Sequence, residues 1–315
     1  MRTDNVHSRE TVVGMLMLID AASLWYRAYY GLPSSIKAPD GRRSGAVRGF
    51  FDGLAVLARK YEPTGMVCCL EGNWRPDWRI DLMPGYKAAR ALPDGSEDTP
   101  EGMDDQVAAI EALLPALGIA TATHPEYEAD DVIATLAART AEPVLVVTGD
   151  RDLFQLVDDE RDRKVVYLAR GISKAELFGG EAVATKFGVA PAHYVDFAVL
   201  RGDPSDGLPG VKGIGAKTAV TLVNTFGGIA GLKAAAADDG SDLPDRQRKA
   251  IIEAGDYLDR AVRASTVVAD VDVPLIDATL PKAPKDPAQV EALAAAWGVG
   301  SALKRFHEAI EAPVH

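Results

Sequence analysis

Residues 143–154 read "PVLVVTGDRDLF", and their pattern decides the fold. A short apolar run rich in Val has the length and composition of a buried strand, and it passes through a Gly turn straight into Asp150 and Asp152. Three other runs repeat the design. "MLMLI" (15–19) leads into Asp20, "GMVCCL" (65–70) into Glu71, and "GIATAT" (118–123), through "HPEY", into Glu128, Asp130 and Asp131. The apolar spacing between them predicts helices at 44–60, 104–116 and 129–140, and "KVVYLA" (164–169) reads as an edge strand. Strands alternating with helices specify an α/β domain with a mainly parallel central sheet. After residue 187 the pattern becomes helical segments separated by Gly and Pro clusters, without strong strand candidates. The expected organisation is a polar, mobile extension at 1–14, an α/β core at 15–187 and a helical region at 188–315.

In an open parallel sheet the carboxyl ends of the strands share one edge, where such folds place their sites. Four segments therefore bring acid to one cleft. Gathered carboxylates repel and raise one another's pKa unless a cation compensates, and an all-oxygen donor set suits hard divalent ions such as Mg²⁺ or Mn²⁺. Each segment alone has a plainer explanation: "EADD" caps a helix, Asp20 sits in a turn and "GDRD" forms an Asx turn. The coincidence across four strand ends favours a metal cluster, with Glu126 as a solvated bystander.

The 315-residue chain, 47% hydrophobic, can bury a substantial core. Its formal net charge of −12 argues, taken alone, against a polyanionic partner. The distribution qualifies that argument. Residues 91–131 hold eleven Asp or Glu and no Lys or Arg, whereas residues 37–90 hold ten basic and six acidic side chains. An acidic site beside a basic surface is the implied arrangement. Cys68 and Cys69, adjacent in "MVCCL", read as small core residues and make neither a disulfide framework nor a zinc site. No apolar run approaches the ~20 residues of a membrane helix, and the N-terminus lacks a signal-peptide pattern, so a cytoplasmic location without membrane contact is expected.

A second signature spans residues 200–227, "LRGDPSDGLPGVKGIGAKTAVTLVNTFG". Gly213 and Gly215 open an apolar-periodic helix, so backbone N–H groups there can face a phosphate with Lys212 and Lys217 beside them. A lone G-x-G is weak, but the flanking helices, paired lysines and preceding Pro-Gly turn favour a helix-hairpin-helix grip on a DNA backbone. Just upstream, Asp203 and Asp206 add two acids and point to a phosphodiester substrate.

With these residues in view, the sequence resembles the 5′ nucleases, comprising flap endonucleases and the 5′ to 3′ exonuclease domain of bacterial DNA polymerase I. The resemblance rests on "LIDAASLWYRAYY", "DGRRSGAVRGFF", "GYKAAR", "YEADDVIATLA", "VVTGDRDLFQLV" and "LRGDPSDGLPGVKGIGAKTA", in order. No polymerase region accompanies them, so a free-standing member is expected. The family implies a PIN-like core, a helix-hairpin-helix region and a flexible helical arch, here about residues 73–103, through which a single-stranded 5′ end passes. By the same resemblance Asp20, Glu71, Glu128 and Asp130 are expected around one metal and Asp150, Asp152 and Asp206 around a second, supported by Asp131 and Asp203. Family members also hold a potassium ion on carbonyls of the hairpin turn.

Lys87 and Arg90 are expected at the scissile phosphate, Tyr86 stacked on an unpaired base, and Arg42, Arg43 and Arg48 on duplex backbone. Two-metal hydrolysis of DNA at 5′ flaps, nicks, 5′ ends or RNA–DNA primer junctions, by a monomer acting in replication and repair, is the implied activity. Glu71 departs from the family's usual Asp. That departure keeps open a structure-specific DNA-binding protein with weakened catalysis, beside a third reading as a PIN-type ribonuclease.

Overall fold

The computed structural model describes residues 14–311, so all but the last residue of the expected N-terminal extension lies outside the described part. Six strands form one sheet: β1 (Leu16–Asp20), β2 (Gly65–Cys69), β3 (Ala120–Ala122), β4 (Val144–Thr148), β5 (Arg163–Tyr167) and β6 (Glu176–Phe178), in the spatial order β3-β2-β1-β4-β5-β6. The first five are mutually parallel and β6 is antiparallel. "KVVYLA" is therefore not the edge strand the sequence suggested. Three residues of β6, with no apolar run around them, pair outside it.

Both faces of the sheet are covered, which is why its strands read as continuous apolar runs. Met17 and Ile19 pack with Trp25, Phe50 and Leu113 on one face, beneath α1 (Ala21–Gly31), α2 (Gly45–Tyr61) and α4 (Met103–Leu117). Leu18 points to the other face, with Val132, Val146 and Phe154, where α5 (Ala129–Arg139) lies. Cys68 and Cys69 are wholly buried in β2 and unpaired. The segment expected as the arch contains α3 (Asp77–Leu82), a 3₁₀ turn at Ala88–Arg90 and a bridge between Ala91 and Glu97, and it walls one side of the cleft described below.

Beyond β6 the chain is helical: α6 (Gly180–Phe187), α7 (Tyr194–Arg201), α8 (Ala216–Phe226), α9 (Ile229–Ala237), α10 (Asp245–Glu253) and α11 (Gly255–Ser265). Two last helices, α12 (Pro287–Trp297) and α13 (Gly300–Glu311), return to the first face, where Phe306 packs on Phe51 and Arg305 pairs with Asp52 at 2.7 Å. The return path runs along α5. Three α5 side chains spaced four apart bind it: Asp131 accepts from the Val268 N–H (2.8 Å), Thr135 accepts from the Val271 N–H (3.1 Å), and Arg139 donates to the Val271 and Val273 carbonyls (2.6 Å each). This i, i+4, i+8 ladder explains a polar stripe on a buried helix face.

Among the described residues no single helix is long and apolar enough to cross a membrane.

Candidate active site

Strand order reverses between β1 and β4, and the carboxyl ends of the neighbouring strands open a cleft of about 700 Å³ at that point. Asp20 closes β1 and caps α1 by accepting from the Ser23 N–H (3.1 Å) and the Ser23 hydroxyl, while Thr148 Oγ1 donates to its Oδ2 at 2.7 Å. The Thr148 hydroxyl also accepts from the Asp150 N–H (2.9 Å), and Asp150 Oδ1 accepts from the Asp152 N–H (2.9 Å). The turn after β4 is thus welded to the end of β1. Glu71, after β2, accepts from the Ala129 N–H at 3.2 Å and joins Asp20, Glu128, Asp130 and Asp150 in lining the cleft.

Glu128 is the N-cap of α5 in a reciprocal capping box with Asp131. Its Oε1 accepts from Tyr86 OH (2.8 Å) and Arg79 Nη1 (3.0 Å), and Lys87 Nζ pairs with Oε2. Lys87 itself is buried with a left-handed backbone (φ 47°). Its N–H donates to the Asp206 carbonyl at 3.2 Å. Next to that contact Gly207, at φ +74°, lies so close to the Gly85 carbonyl that a Cβ there would come within 2.0 Å of its oxygen. Backbone contact with the "GDPSDG" loop therefore sets where the "GYK" segment sits.

Burial and crowding raise five carboxyls in and beside the cleft: Asp20, Glu71, Asp130, Asp152 and Asp206. Burial, then the charge of Glu128, pushes Glu71 up to about 8; burial, then Asp150, pushes Asp206 up to about 6. Burial followed by Asp150 raises Asp130 and Asp152 well above the ordinary range, and burial raises Asp20 against hydrogen bonds from Ser23 and Thr148. Asp152 and Asp206 share a side-chain hydrogen bond. Lys87 is raised despite its burial because Glu128, Tyr86 and Asp206 favour its charge. Like charges drawn together out of water are held at a cost that a divalent cation removes. The donor set fits a hard cation in its chemistry, although among the described residues no three acidic side chains converge as a ready cage.

Three expectations need correcting. Asp131 is sealed from solvent, with both oxygens on Arg79 (2.7 Å each) and further bonds from the Val268 and Glu128 N–H groups, so it is an internal counter-ion and not a cleft ligand. Asp203 is occupied by Arg201 (2.9 Å) and by Ser205 within its own turn. Tyr86 offers no stacking face, because the residue is 5% exposed and its hydroxyl is committed to Glu128.

Arg90 faces the cleft and pairs with Glu97 at 3.2 Å. Arg42 stacks on Trp297 and Arg43 on Tyr29, each with its guanidinium 4.0 Å from the ring centroid, and Arg48 approaches Asp52 at 3.7 Å. In the hairpin, Gly213 takes φ +82° and Gly215 caps α8 without a side-chain bond, while Lys212 and Lys217 are exposed beside them. Sequence reasoning passed over Arg79, Arg27 and the tyrosine rim. Arg27 and Tyr26 line the cleft, Tyr30 stands 72% exposed at its mouth, and Arg27 Nη1 donates to the Ala169 carbonyl at 2.7 Å. Their spacing in "SLWYRAYY" is the available signal, since Tyr26, Arg27 and Tyr30 follow Ser23, the partner of Asp20, at i+3, i+4 and i+7 and so share its helix face.

An acid-lined switch-point cleft joined to a helical region with a glycine hairpin defines a nuclease of the PIN-like class. Residues 15–188 match the 5′-3′ exonuclease N-terminal resolvase-like domain, and residues 189–288 match the 5′-3′ exonuclease C-terminal SAM fold. A 5′-3′ exonuclease of Streptomyces coelicolor is 49% identical over 296 residues, covering 92% of this chain and 98% of that protein. One of Mycobacterium tuberculosis is 44% identical over 311 residues, covering 94% and 98%. The fold also matches the bacteriophage T5 flap endonuclease solved as a complex with DNA and metal ions, with a TM-score of 0.61 at 17% identity over 94% of this chain and 97% of that one. The chain belongs to the 5′-3′ exonuclease family.

Proposed function

We propose that this nuclease hydrolyses DNA phosphodiesters at 5′ flaps, nicks and 5′ ends, including RNA–DNA primer junctions, with two divalent cations, Mg²⁺ or Mn²⁺. The observation that carries this reading is a single cleft lined by Asp20, Glu71, Glu128, Asp130 and Asp150 together with Lys87 and Arg90. Asp20, Glu71, Glu128 and Asp130 would hold one cation, and Asp150, Asp152 and Asp206 the other. A bound divalent ion supplies Lewis acidity toward the phosphoryl group and a water of lowered pKa.

The protein's own groups orient and neutralise. Lys87, held on Glu128 at the edge of the cleft, and Arg90, which lines it, would offset the charge growing on a bound phosphate. The hairpin N–H groups, with Lys212 and Lys217, grip duplex backbone, and a potassium ion on the turn carbonyls would reinforce that grip. Arg42, Arg43 and Arg48 extend the basic surface. Glu71, longer than Asp by one methylene, lines the cleft with Oε1 held by the Ala129 N–H and would influence the choice between Mg²⁺ and Mn²⁺. The protein acts as a cytoplasmic monomer in replication and repair.

A gel assay of one 5′-flap duplex across Mg²⁺, Mn²⁺ and chelator, beside an RNA hairpin, tests the proposal. Metal-dependent products ending at the flap junction are expected. Cleavage in chelator, or of the RNA hairpin alone, would overturn it.

A further inference from the structure

Arg79 sits in "WRPDWRID", which reads as an ordinary solvated helix, yet its side chain is 3% exposed. Four of its five N–H donors are committed. Nε donates to the Ala264 carbonyl near the end of α11 (2.9 Å), Nη1 to Glu128 Oε1 (3.0 Å) and Asp131 Oδ2 (2.7 Å), and Nη2 to Asp131 Oδ1 (2.7 Å). The guanidinium lies 4.4 Å from the Trp78 ring centroid, which fixes its plane. A planar fork can satisfy two carboxylates and a carbonyl at once, whereas a lysine ammonium cannot.

The consequence falls on Glu128. Arg79 and Tyr86 both occupy its Oε1, so the carboxylate cannot rotate freely, and Oε2 is left toward the cleft with only Lys87 upon it. We propose that Arg79 is a positioning residue, which clamps one oxygen of Glu128 so that the other is presented to the metal. Asp131 serves this clamp as a counter-ion. Its third bond, from the Val268 N–H, ties the clamp to the return path from the helical region. The assignment rests on the reading of Glu128 as a metal-holding side chain and adds what orients it.

The test uses the full chain and reads three quantities: thermal midpoint without metal, Mn²⁺ affinity without DNA by paramagnetic resonance, and kcat and KM on the 5′-flap duplex. Arg79→Lys keeps the charge and loses the fork. Supporting side chains behind metal ligands are worth about 10- to 100-fold in affinity, and a loss of that size in Mn²⁺ affinity and kcat is expected, with KM within about threefold. The double variant R79M/D131L removes both partners of the buried pair, a change folds commonly tolerate, and should show the same loss of Mn²⁺ binding. Thr135→Val and Arg139→Gln loosen the same return path one and two helix turns away. They should lower the midpoint while leaving Mn²⁺ affinity within about twofold, because neither touches Glu128.

Unchanged Mn²⁺ affinity in both Arg79 variants overturns the proposal, as does an equal loss in the Thr135 and Arg139 variants. A wild-type chain that binds no Mn²⁺ overturns the metal reading together with this one. Normal wild-type binding with unaltered Arg79 variants overturns this one alone.

Discussion

At the sheet edge Arg79 and Glu128 are each 3% exposed and bound to one another, whereas at the hairpin turn Lys212 and Lys217 are exposed and make no ion pair among the described residues. The first region fixes charge in position at the cost of desolvation. The second leaves it hydrated and movable, cheap to hold and screened by salt. The difference separates two tasks, since chemistry needs groups placed before the substrate arrives and backbone affinity needs only charge nearby.

The sharpest way to break the comparison is to neutralise the placed charges. Asp150→Asn with Asp152→Asn should reduce Mg²⁺-dependent cleavage by at least about 10³-fold, since each cation contributes several kcal/mol to the transition state. Gel-shift affinity for the flap duplex in chelator should be nearly unchanged; equal losses in binding and cleavage would erase the division of labour. Next, Lys87→Ala should lower kcat by about 10²-fold with little change in KM, as for loss of one charge-stabilising donor. A change confined to KM would move Lys87 to the hairpin's side of the comparison.

Lys212→Ala with Lys217→Ala should weaken duplex binding about tenfold at moderate salt and reduce the salt slope of log affinity by about two, leaving kcat intact. A titration of binding against salt concentration decides this.

The smallest effect concerns pH. Glu71 rises from 4.5 to about 8 and Asp206 from 3.8 to about 6, and Asp20, Asp130 and Asp152 are raised as well. A carboxyl whose folded pKa exceeds its unfolded value contributes stability below the unfolded pKa and loses it as pH climbs through the folded one. The metal-free midpoint should therefore fall by several degrees between about pH 4.5 and 8. Saturating Mn²⁺ should flatten the slope, whereas a midpoint that rises with pH in chelator would contradict the cleft electrostatics.

The sheet was legible because buried parallel strands need continuous apolar runs, and each of the four read from residues 15–148 led into an acid, the third through "HPEY", that the topology then collected. β6 was invisible because no apolar run surrounds it: Glu176 is charged, Leu177 is exposed and two glycines follow Phe178. The return of α12 and α13 to the first face was equally hidden, since an amphipathic helix does not name the surface it covers. Within the site, strand-end acids were readable by position, but the partners that orient them were not. Arg79 looks like a solvated arginine in sequence and becomes internal only because α3, α5 and α11 meet around it. Asp131 and Asp130 are neighbours in sequence with opposite fates, as one helix step turns the first to Arg79 and the second to the cleft.

Cys68 and Cys69 lie at 0% exposure in β2, between β1 and β3. They are the chain's full complement of thiols, so a thiol reagent meets nothing to modify until the sheet itself opens. Labelling rates measured with and without divalent ion would then clock that opening directly, making the protein its own gauge of how far a cation in the cleft holds the strands together.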